Sequence, residues 1–252
     1  MQEATHQALS RAYQAILTDE ALASLEEVDL AGVFLPSAPA NPVSLMIVGR
    51  ETTSWFGGFR EIHSTPRAEY IAASMERHHQ AIGQRAGRSK FRQFYKKAEK
   101  IIEPTGGSVA WHNLFAISFK KNSPVRCKAI SHIADISRKL LLAQIEILQP
   151  RAALFVSGPS YDSYIKACFQ GRMTGSHVYE KRRLWGFKID GTPCFRTNHP
   201  RCAKGESART ESLQLLLGTN NNSWQSALTL NYNYNGAMHE CNPTGNPRLI
   251  QL

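Results

Sequence analysis

The sequence predicts an α/β fold with three layers, in which helices cover both faces of a central, mostly parallel sheet of four to five strands. Three observations lead to this prediction. Apolar runs of strand length recur along the chain, segments of helical periodicity separate them, and a helix stands between two such strands. At 252 residues the chain can bury a substantial core, so we expect a single domain over residues 1–252.

The first elements of the chain are helical. Apolar residues at mixed three- and four-residue spacing predict one or two helices over about residues 5–30. A proline-rich passage then breaks the pattern and leads into a strand at Leu45–Val48. Four consecutive apolar residues are short for a helix and typical of a strand that is buried on both faces, as in a parallel sheet.

Residues 66–102 have a helical character and are strongly basic. Arginines and lysines alternate there with Phe91, Phe94 and Tyr95, a pattern that suits a phosphate backbone. It equally fits a solvated basic helix face whose aromatic side chains lie in the core, and both interpretations remain open. Residues 108–115 follow as the second strand, which ends in polar groups.

The second half of the chain supplies the remaining elements. Apolar residues on one stripe predict a helix from about 129 to 148, where Pro150 stops it. We then expect a strand near 151–157, a helix at 161–169, two short strands parted by the turn dipeptide Asp190-Gly191, a polar loop and a last helix. Residues 219–252 are rich in asparagine and read as an irregular C-terminal segment.

Composition narrows the class of partner. Thirty Lys and Arg against 20 Asp and Glu leave a formal net charge of +10, which favours a polyanion; nucleic acid is the first candidate and an acidic membrane surface the second. No run of eighteen or more apolar residues occurs. We therefore expect a cytoplasmic protein that binds nucleic acid and does not enter a membrane, and we expect it to be a monomer.

The five cysteines are scattered and contain no CxxC pair. This spacing indicates reduced thiols and disfavours a zinc or iron–sulfur site. We expect neither a metal nor another cofactor.

Three predicted strands deliver polar side chains just beyond their ends. These are Glu51, Asn113 and His199. Ligands of open α/β sheets bind beyond the carboxyl ends of the strands, so we expect these side chains to share one crevice.

The order and spacing of these pieces resemble the uracil-DNA glycosylase superfamily over roughly Leu45 to Leu217. Members have a glycine and an acidic or amide residue after the first strand, a strand that ends in Asn, and a late strand that runs into His-Pro. The corresponding segments here are Val48-Gly49-Arg50-Glu51-Thr52-Thr53, Val109-Ala110-Trp111-His112-Asn113 and Phe195-Arg196-Thr197-Asn198-His199-Pro200. The passage from Leu148 to Pro159 also resembles the strand and turn before the family's penultimate helix.

The resemblance implies a monofunctional DNA glycosylase, which binds double- or single-stranded DNA, flips out a base and hydrolyses its N-glycosidic bond to leave an abasic site. Glu51 and His199 would then be catalytic, and Asn113 would pair with the base edge. The base pocket would be completed by Gly49, Arg50, Thr53, Trp55 and Phe56, with Phe59 as a further candidate for stacking. The expected DNA-binding residues are Ser157, Pro200, Arg201 and Lys204.

Two residues depart from the uracil-specific pattern, in which a proline and then a bulky tyrosine follow the acid. Thr52 and Thr53 stand there in this chain. The smaller side chains leave room for a substituent at carbon 5, so we expect a modified pyrimidine as substrate, as in relatives that excise modified bases from phage DNA in antiviral defence.

Several alternatives remain open. Uracil excision in DNA repair uses the same chemistry on a smaller base. A non-catalytic member would bind DNA or a damaged base without turnover. Lys204 raises a mechanism in which an amine attacks the sugar and the strand is also nicked. An unrelated α/β enzyme acting on a free nucleotide would show little sensitivity to salt.

Overall fold

The computed structural model describes residues 2–25, 29–120 and 122–218. The described helices are α1 Gln2–Ile16, α2 Asp19–Ala23, α3 Glu61–Ser64, α4 Arg67–Gly83, α5 Lys90–Ile102, α6 Ile130–Leu148, α7 Asp162–Cys168 and α8 Glu206–Gly218. The strands are β1 Val43–Gly49, β2 Ser108–Asn113, β3 Ala153–Phe155, β4 Met173–Glu180, β5 Leu184–Ile189 and β6 Thr192–Arg196.

The chain divides into two compact units, Met1–Leu213 and Gln214–Leu252. The first unit contains the whole sheet. In the second, the description covers only the helical residues 214–218, and the asparagine-rich segment expected at 219–252 lies outside the described residues.

The sheet has the strand order β2-β1-β3-β6-β5-β4. The three pairs from β2 to β6 are parallel, and the two pairs that join β6, β5 and β4 are antiparallel. The predicted α/β class with a mostly parallel sheet is therefore confirmed. Asp190 and Gly191 connect β5 to β6 with φ angles of 47° and 85°, as a tight hairpin turn requires.

The strand count differs from the expectation of four to five because β4 was not predicted. This strand lies at the edge of the sheet, its side chains are largely exposed, and its pairing with β5 contains register shifts. An edge strand with one solvated side needs no continuous apolar run, so hydrophobic periodicity does not reveal it.

The interior of β1 shows why its sequence is apolar throughout. Met46 and Val48 pack in one core with residues of α1, α4, α6 and α7. Leu45 and Ile47 alternate to the opposite face, where α5 covers β1 and β2. Helices therefore bury both faces of the strand, and none of the described helices is long and apolar enough to cross a membrane.

A buried polar network fixes the end of β2. His112 Nδ1 lies 2.7 Å from Gln144 Oε1, and Gln144 Nε2 donates to Tyr13 Oη at 3.2 Å. Tyr13 in turn donates to the carbonyl oxygen of Pro36 at 2.9 Å. Burial lowers the pKa of His112 to about 4, so this imidazole is neutral at pH 7. The network holds the backbone next to Asn113 in place.

Candidate active site

The carboxyl ends of β1, β2 and β6 open into one cleft with a volume of about 330 Å³. Gly49 and Asn113 are paired in register at the ends of β1 and β2. Glu51 follows β1 by two residues and His199 follows β6 by three, and both line the cleft together with Asn113. The cleft thus lies where open α/β sheets bind ligands. It also includes other predicted site residues: Gly49, Arg50, Thr53, Trp55, Phe56 and Arg201.

The loop after β1 is tied to the segment after β2. The carbonyl oxygen of Gly49 accepts a hydrogen bond from the Leu114 N–H at 2.9 Å, and that of Arg50 accepts one from the Phe115 N–H at 2.8 Å. The parallel pairing therefore continues beyond the strands themselves. Because both bonded carbonyl groups directly precede Glu51, they fix the backbone from which its side chain enters the cleft.

The Glu51 carboxylate is nearly enclosed, with 8% of its side chain exposed. Burial raises the pKa of Glu51, while the Arg50 cation and the Tyr161 hydroxyl act in the opposite direction. Tyr161 donates to Glu51 Oε2 at 3.2 Å, and Arg50 Nε lies 4.0 Å from Oε1. The Tyr161 oxygen also lies 2.8 Å from Ser123 Oγ. Tyrosine has a single hydroxyl hydrogen, so Ser123 donates to Tyr161 when Tyr161 donates to Glu51.

Asn113 is 6% exposed, and its amide is oriented by two neighbours. Its Nδ2 donates to Thr52 Oγ1, and its Oδ1 accepts from Trp111 Nε1 at 3.2 Å. A Cβ atom at Gly49 would lie 2.5 Å from Oδ1 and 3.1 Å from the Phe91 ring. Only glycine at position 49 leaves space for the amide and the ring to approach each other there.

His199 is neutral at physiological pH and has a defined tautomer. Burial lowers its pKa to about 4, and the cations of Arg50, Arg201 and Arg209 act in the same direction. The Arg201 backbone N–H donates to His199 Nδ1 at 3.2 Å. Because Nδ1 accepts, the ring hydrogen is on Nε2, which is therefore a hydrogen-bond donor.

The backbone that carries His199 is organised by one buried guanidinium group. Arg209 Nη1 donates to the carbonyl oxygens of Asn198, His199 and Cys202 at 3.3, 3.3 and 3.1 Å. A Cβ at Gly205 would lie 2.5 Å from Asn198 Cβ and 3.0 Å from Arg209 Nη1. Gly205, just before α8, therefore packs closely on the loop, and Arg209 in the first turn of α8 binds its carbonyl groups.

Aromatic rings line one side of the cleft. Trp55 and Trp111 lie 6.1 Å apart and are largely buried, and the Trp55 indole donates to a serine of α4 at 3.2 Å. Phe91 lies 5.1 Å from Trp111 and is only partly buried. Phe56 also lines the cleft, whereas Phe59 is 2% exposed and packs in the core. Phe56 and Phe91 are therefore the partly buried rings that line the cleft, whereas Phe59 does not line it.

The expected DNA-binding residues are separated in the structure. Arg201 is exposed and lines the cleft, and Pro200 is buried immediately beside it. Lys204 is exposed on the next turn, away from the residues that line the cleft. Ser157 is 2% exposed at the end of β3. Contrary to expectation, its hydroxyl is therefore not presented to a partner at the surface.

Several residues of the site were not selected as site residues from the sequence, and five of them have a clear place in it. Phe91 and Arg77 line the cleft from α5 and α4, Tyr161 and Ser123 orient Glu51, and Arg209 holds the His199 loop. The alternation of basic and aromatic residues in 66–102 signalled the first two. Phe94 and Tyr95 are buried, as expected for a solvated basic helix face with aromatic side chains in the core, while Phe91 reaches the cleft, and contact of this segment with a phosphate backbone stays a prediction.

In comparisons with known proteins, no family model and no curated protein matches this chain.

Proposed function

We propose that the cleft binds a base extruded from DNA and hydrolyses its N-glycosidic bond, as a divergent member of the uracil-DNA glycosylase superfamily would. The observation that carries the proposal is the convergence of Glu51, Asn113 and His199 on one cleft from three separate strand ends. The three groups are an enclosed acid that Tyr161 and Arg50 help to keep ionised, an oriented amide, and a neutral imidazole with a hydrogen-bond donor, and these properties support the proposal.

Asn113 and Phe91 would recognise the base. Extruding a base from the duplex costs about a few kcal/mol, which pairing and stacking in the pocket must offset. Thr52 and Trp111 use one hydrogen and one lone pair of the Asn113 amide. One donor and one acceptor remain for the Watson–Crick edge of a pyrimidine. The ring of Phe91 offers a face for stacking.

Glu51 would supply the carboxylate of the hydrolytic step. As the bond between C1′ of the sugar and N1 of the base breaks, positive charge develops on the sugar, and the Glu51 carboxylate stabilises it. Water then forms the new C1′–O bond, and Glu51 accepts its proton. The reaction requires ionised Glu51. The Tyr161 hydroxyl, which is also hydrogen-bonded to Ser123, favours the ionised form and holds the carboxylate in one orientation.

His199 would stabilise the departing base. The electron pair of the broken bond leaves with the base, and negative charge accumulates on its carbonyl oxygens. Because the His199 ring is neutral and carries its hydrogen on Nε2, this N–H can donate a hydrogen bond to such an oxygen. The base then takes up a proton from Glu51 or from solvent, which completes the hydrolysis.

Thr53 supports a pyrimidine with a substituent at carbon 5 as the substrate. Its side chain is exposed and lines the cleft, while its neighbour Thr52 is occupied with Asn113. A small residue at position 53 leaves space that a tyrosine would fill. Modified pyrimidines of phage DNA fit this description, which would give the protein a role in antiviral defence; uracil in damaged cellular DNA is the smaller alternative.

The Glu51→Gln substitution tests the proposal, because glutamine keeps the shape of the side chain and removes its charge. We expect single-turnover base release from oligonucleotides that contain uracil or a 5-substituted pyrimidine to fall about 10²- to 10⁴-fold. DNA affinity, measured by fluorescence anisotropy, should change little. Glu76→Gln, which alters an exposed acid on α4, is the matched control and should behave as the wild type.

Three outcomes would contradict the proposal. Release at the wild-type rate by Glu51→Gln would remove Glu51 from the mechanism. Tight DNA binding by the wild-type protein without release of any base would favour a non-catalytic binding protein instead. Strand nicking that depends on Lys204 would indicate attack by an amine.

A further inference from the structure

A second depression, which we call the α5 groove, lies beside the cleft and has a volume of about 290 Å³. One wall is formed by Lys90, Gln93 and Lys97 of α5. The other wall contains Arg201 and Thr210. All five side chains carry hydrogen-bond donors, and the two lysines and Arg201 are exposed cations.

The α5 groove begins where the cleft ends. Arg201 lines both depressions. The first turn of α5 also contributes to both, since Phe91 and Arg92 line the cleft while Lys90 and Gln93 line the groove. A chain molecule with one unit in the cleft would therefore meet the groove with its neighbouring unit.

The lysines of the groove differ from another lysine on the same helix. Lys96 is paired with Glu99 at 2.7 Å. Within the described residues, neither Lys90 nor Lys97 has a carboxylate oxygen within 4.0 Å. Glu206 is the one acid among the residues that line the groove. The groove therefore holds an excess of positive charge that the fold itself does not neutralise.

We propose that the α5 groove binds the phosphodiester backbone of the strand that carries the extruded base, next to the nucleotide in the cleft. This inference rests on the proposed function. Lys90 and Lys97 are seven residues apart, which is about 10 Å along the helix axis. That separation exceeds one internucleotide step, so the groove contacts two phosphates.

The Lys90→Gln/Lys97→Gln double variant tests the groove, with Lys100→Gln as the control. Lys100 is an exposed cation of the last turn of α5 and lies outside both depressions. Affinity for a 5-substituted oligonucleotide is measured by anisotropy from about 50 to 200 mM salt. We expect the slope of log affinity against log salt to become shallower by about 1.4 to 1.8 in the double variant, since each lost phosphate contact contributes about 0.7 to 0.9.

Single-stranded and duplex substrates provide the two arms of the experiment. We expect the double variant to lose affinity for both, because the bound strand is the one that carries the extruded base. An unchanged slope would contradict the proposal that the α5 groove binds phosphates. A loss of affinity confined to duplex DNA would also contradict it, because the groove would then bind the complementary strand.

Base release by the wild type is measured on the same samples, and Lys100→Gln, which lies outside both depressions, should match it. If the wild type releases base and the slope of the double variant is unchanged, the α5 groove does not bind phosphates and the proposed function stands. If no base is released but the slope becomes shallower, the groove stands as a DNA-binding surface and the proposed function fails.

Discussion

The cleft and the α5 groove share Arg201 and the first turn of α5, yet they are built in opposite ways. In the cleft, Glu51, Asn113 and His199 are largely enclosed, and each is held by hydrogen bonds from neighbouring groups. In the groove, Lys90 is exposed and has no carboxylate partner within the described residues.

This difference matches two kinds of work. Bond cleavage needs groups held in a fixed arrangement before substrate arrives, since reorganising them costs activation free energy. Contact with phosphates needs charge at roughly the right place, and flexible lysines provide it. We therefore expect substitutions in the cleft to change rates steeply and substitutions in the groove to change affinity and its salt dependence.

The Gly49→Ala substitution should break the cleft and leave the groove intact. The added methyl group would lie 2.5 Å from Asn113 Oδ1 and 3.1 Å from the Phe91 ring, so the amide or the ring must move. We expect base release to fall about 100-fold, since misplacement of a contact group by about 1 Å can cost that much. Single-turnover kinetics measure the loss, and the salt dependence of DNA binding should be unchanged.

Gly83→Ala is the matched control. A Cβ at Gly83 meets no atom within 4 Å, so this variant should keep wild-type activity. Thermal unfolding of both variants shows whether overpacking has destabilised the fold, which would cost about 1 to 3 kcal/mol. A fully active Gly49→Ala protein would contradict the close approach of Asn113 at this position.

The Tyr161→Phe substitution should leave Glu51 in the cleft but less firmly oriented. The phenyl ring keeps its contacts, but the hydrogen bond to Glu51 is lost. We expect kcat to fall about 10- to 150-fold with little change in KM, since a hydrogen bond to a charged group contributes about 1.5 to 3 kcal/mol.

The pH profile should move as well. Glu51 acts in its ionised form, and burial already raises its pKa, so activity falls as the pH drops through that raised value. The Tyr161 hydroxyl lowers the pKa of Glu51, so its removal raises that pKa further and shifts the acid limb to higher pH. Tyr164→Phe, a neighbouring tyrosine on α7, is the control and should leave the acid limb in place. An unshifted limb in Tyr161→Phe would leave the hydroxyl with no role in positioning Glu51.

The parts of the fold that were predictable from the sequence are those governed by local pattern. The unbroken apolar run of β1 reflects burial on two faces, and Asp190-Gly191 supplies the two positive φ angles of the hairpin. The edge strand β4 was missed because its side chains are largely exposed. No local periodicity marks such a strand, and its pairing depends on β5.

The same distinction between local pattern and packing applies to the residues of the site. Glu51, Asn113 and His199 were predictable because each lies at the end of a strand or within three residues of it, and parallel strands deliver their ends to one edge. Tyr161 contacts Glu51 across 110 positions of sequence, and Phe91 approaches Gly49 from a helix. Such contacts depend on how helices pack on the sheet, which one sequence does not reveal. The interior position of Ser157 was misjudged for the same reason.

The central claim is that this cleft cleaves N-glycosidic bonds, and mass spectrometry of the bases released by the wild-type protein tests it most directly. The substrates are matched oligonucleotides that contain cytosine and thymine only, uracil, or a pyrimidine with a larger substituent at carbon 5. We predict release of the free 5-substituted base, faster than release of uracil, from a strand that stays intact until alkali cleaves it at the abasic site. Release of uracil alone would contradict the open pocket at Thr53, and the absence of any free base from all three substrates would contradict the claim itself.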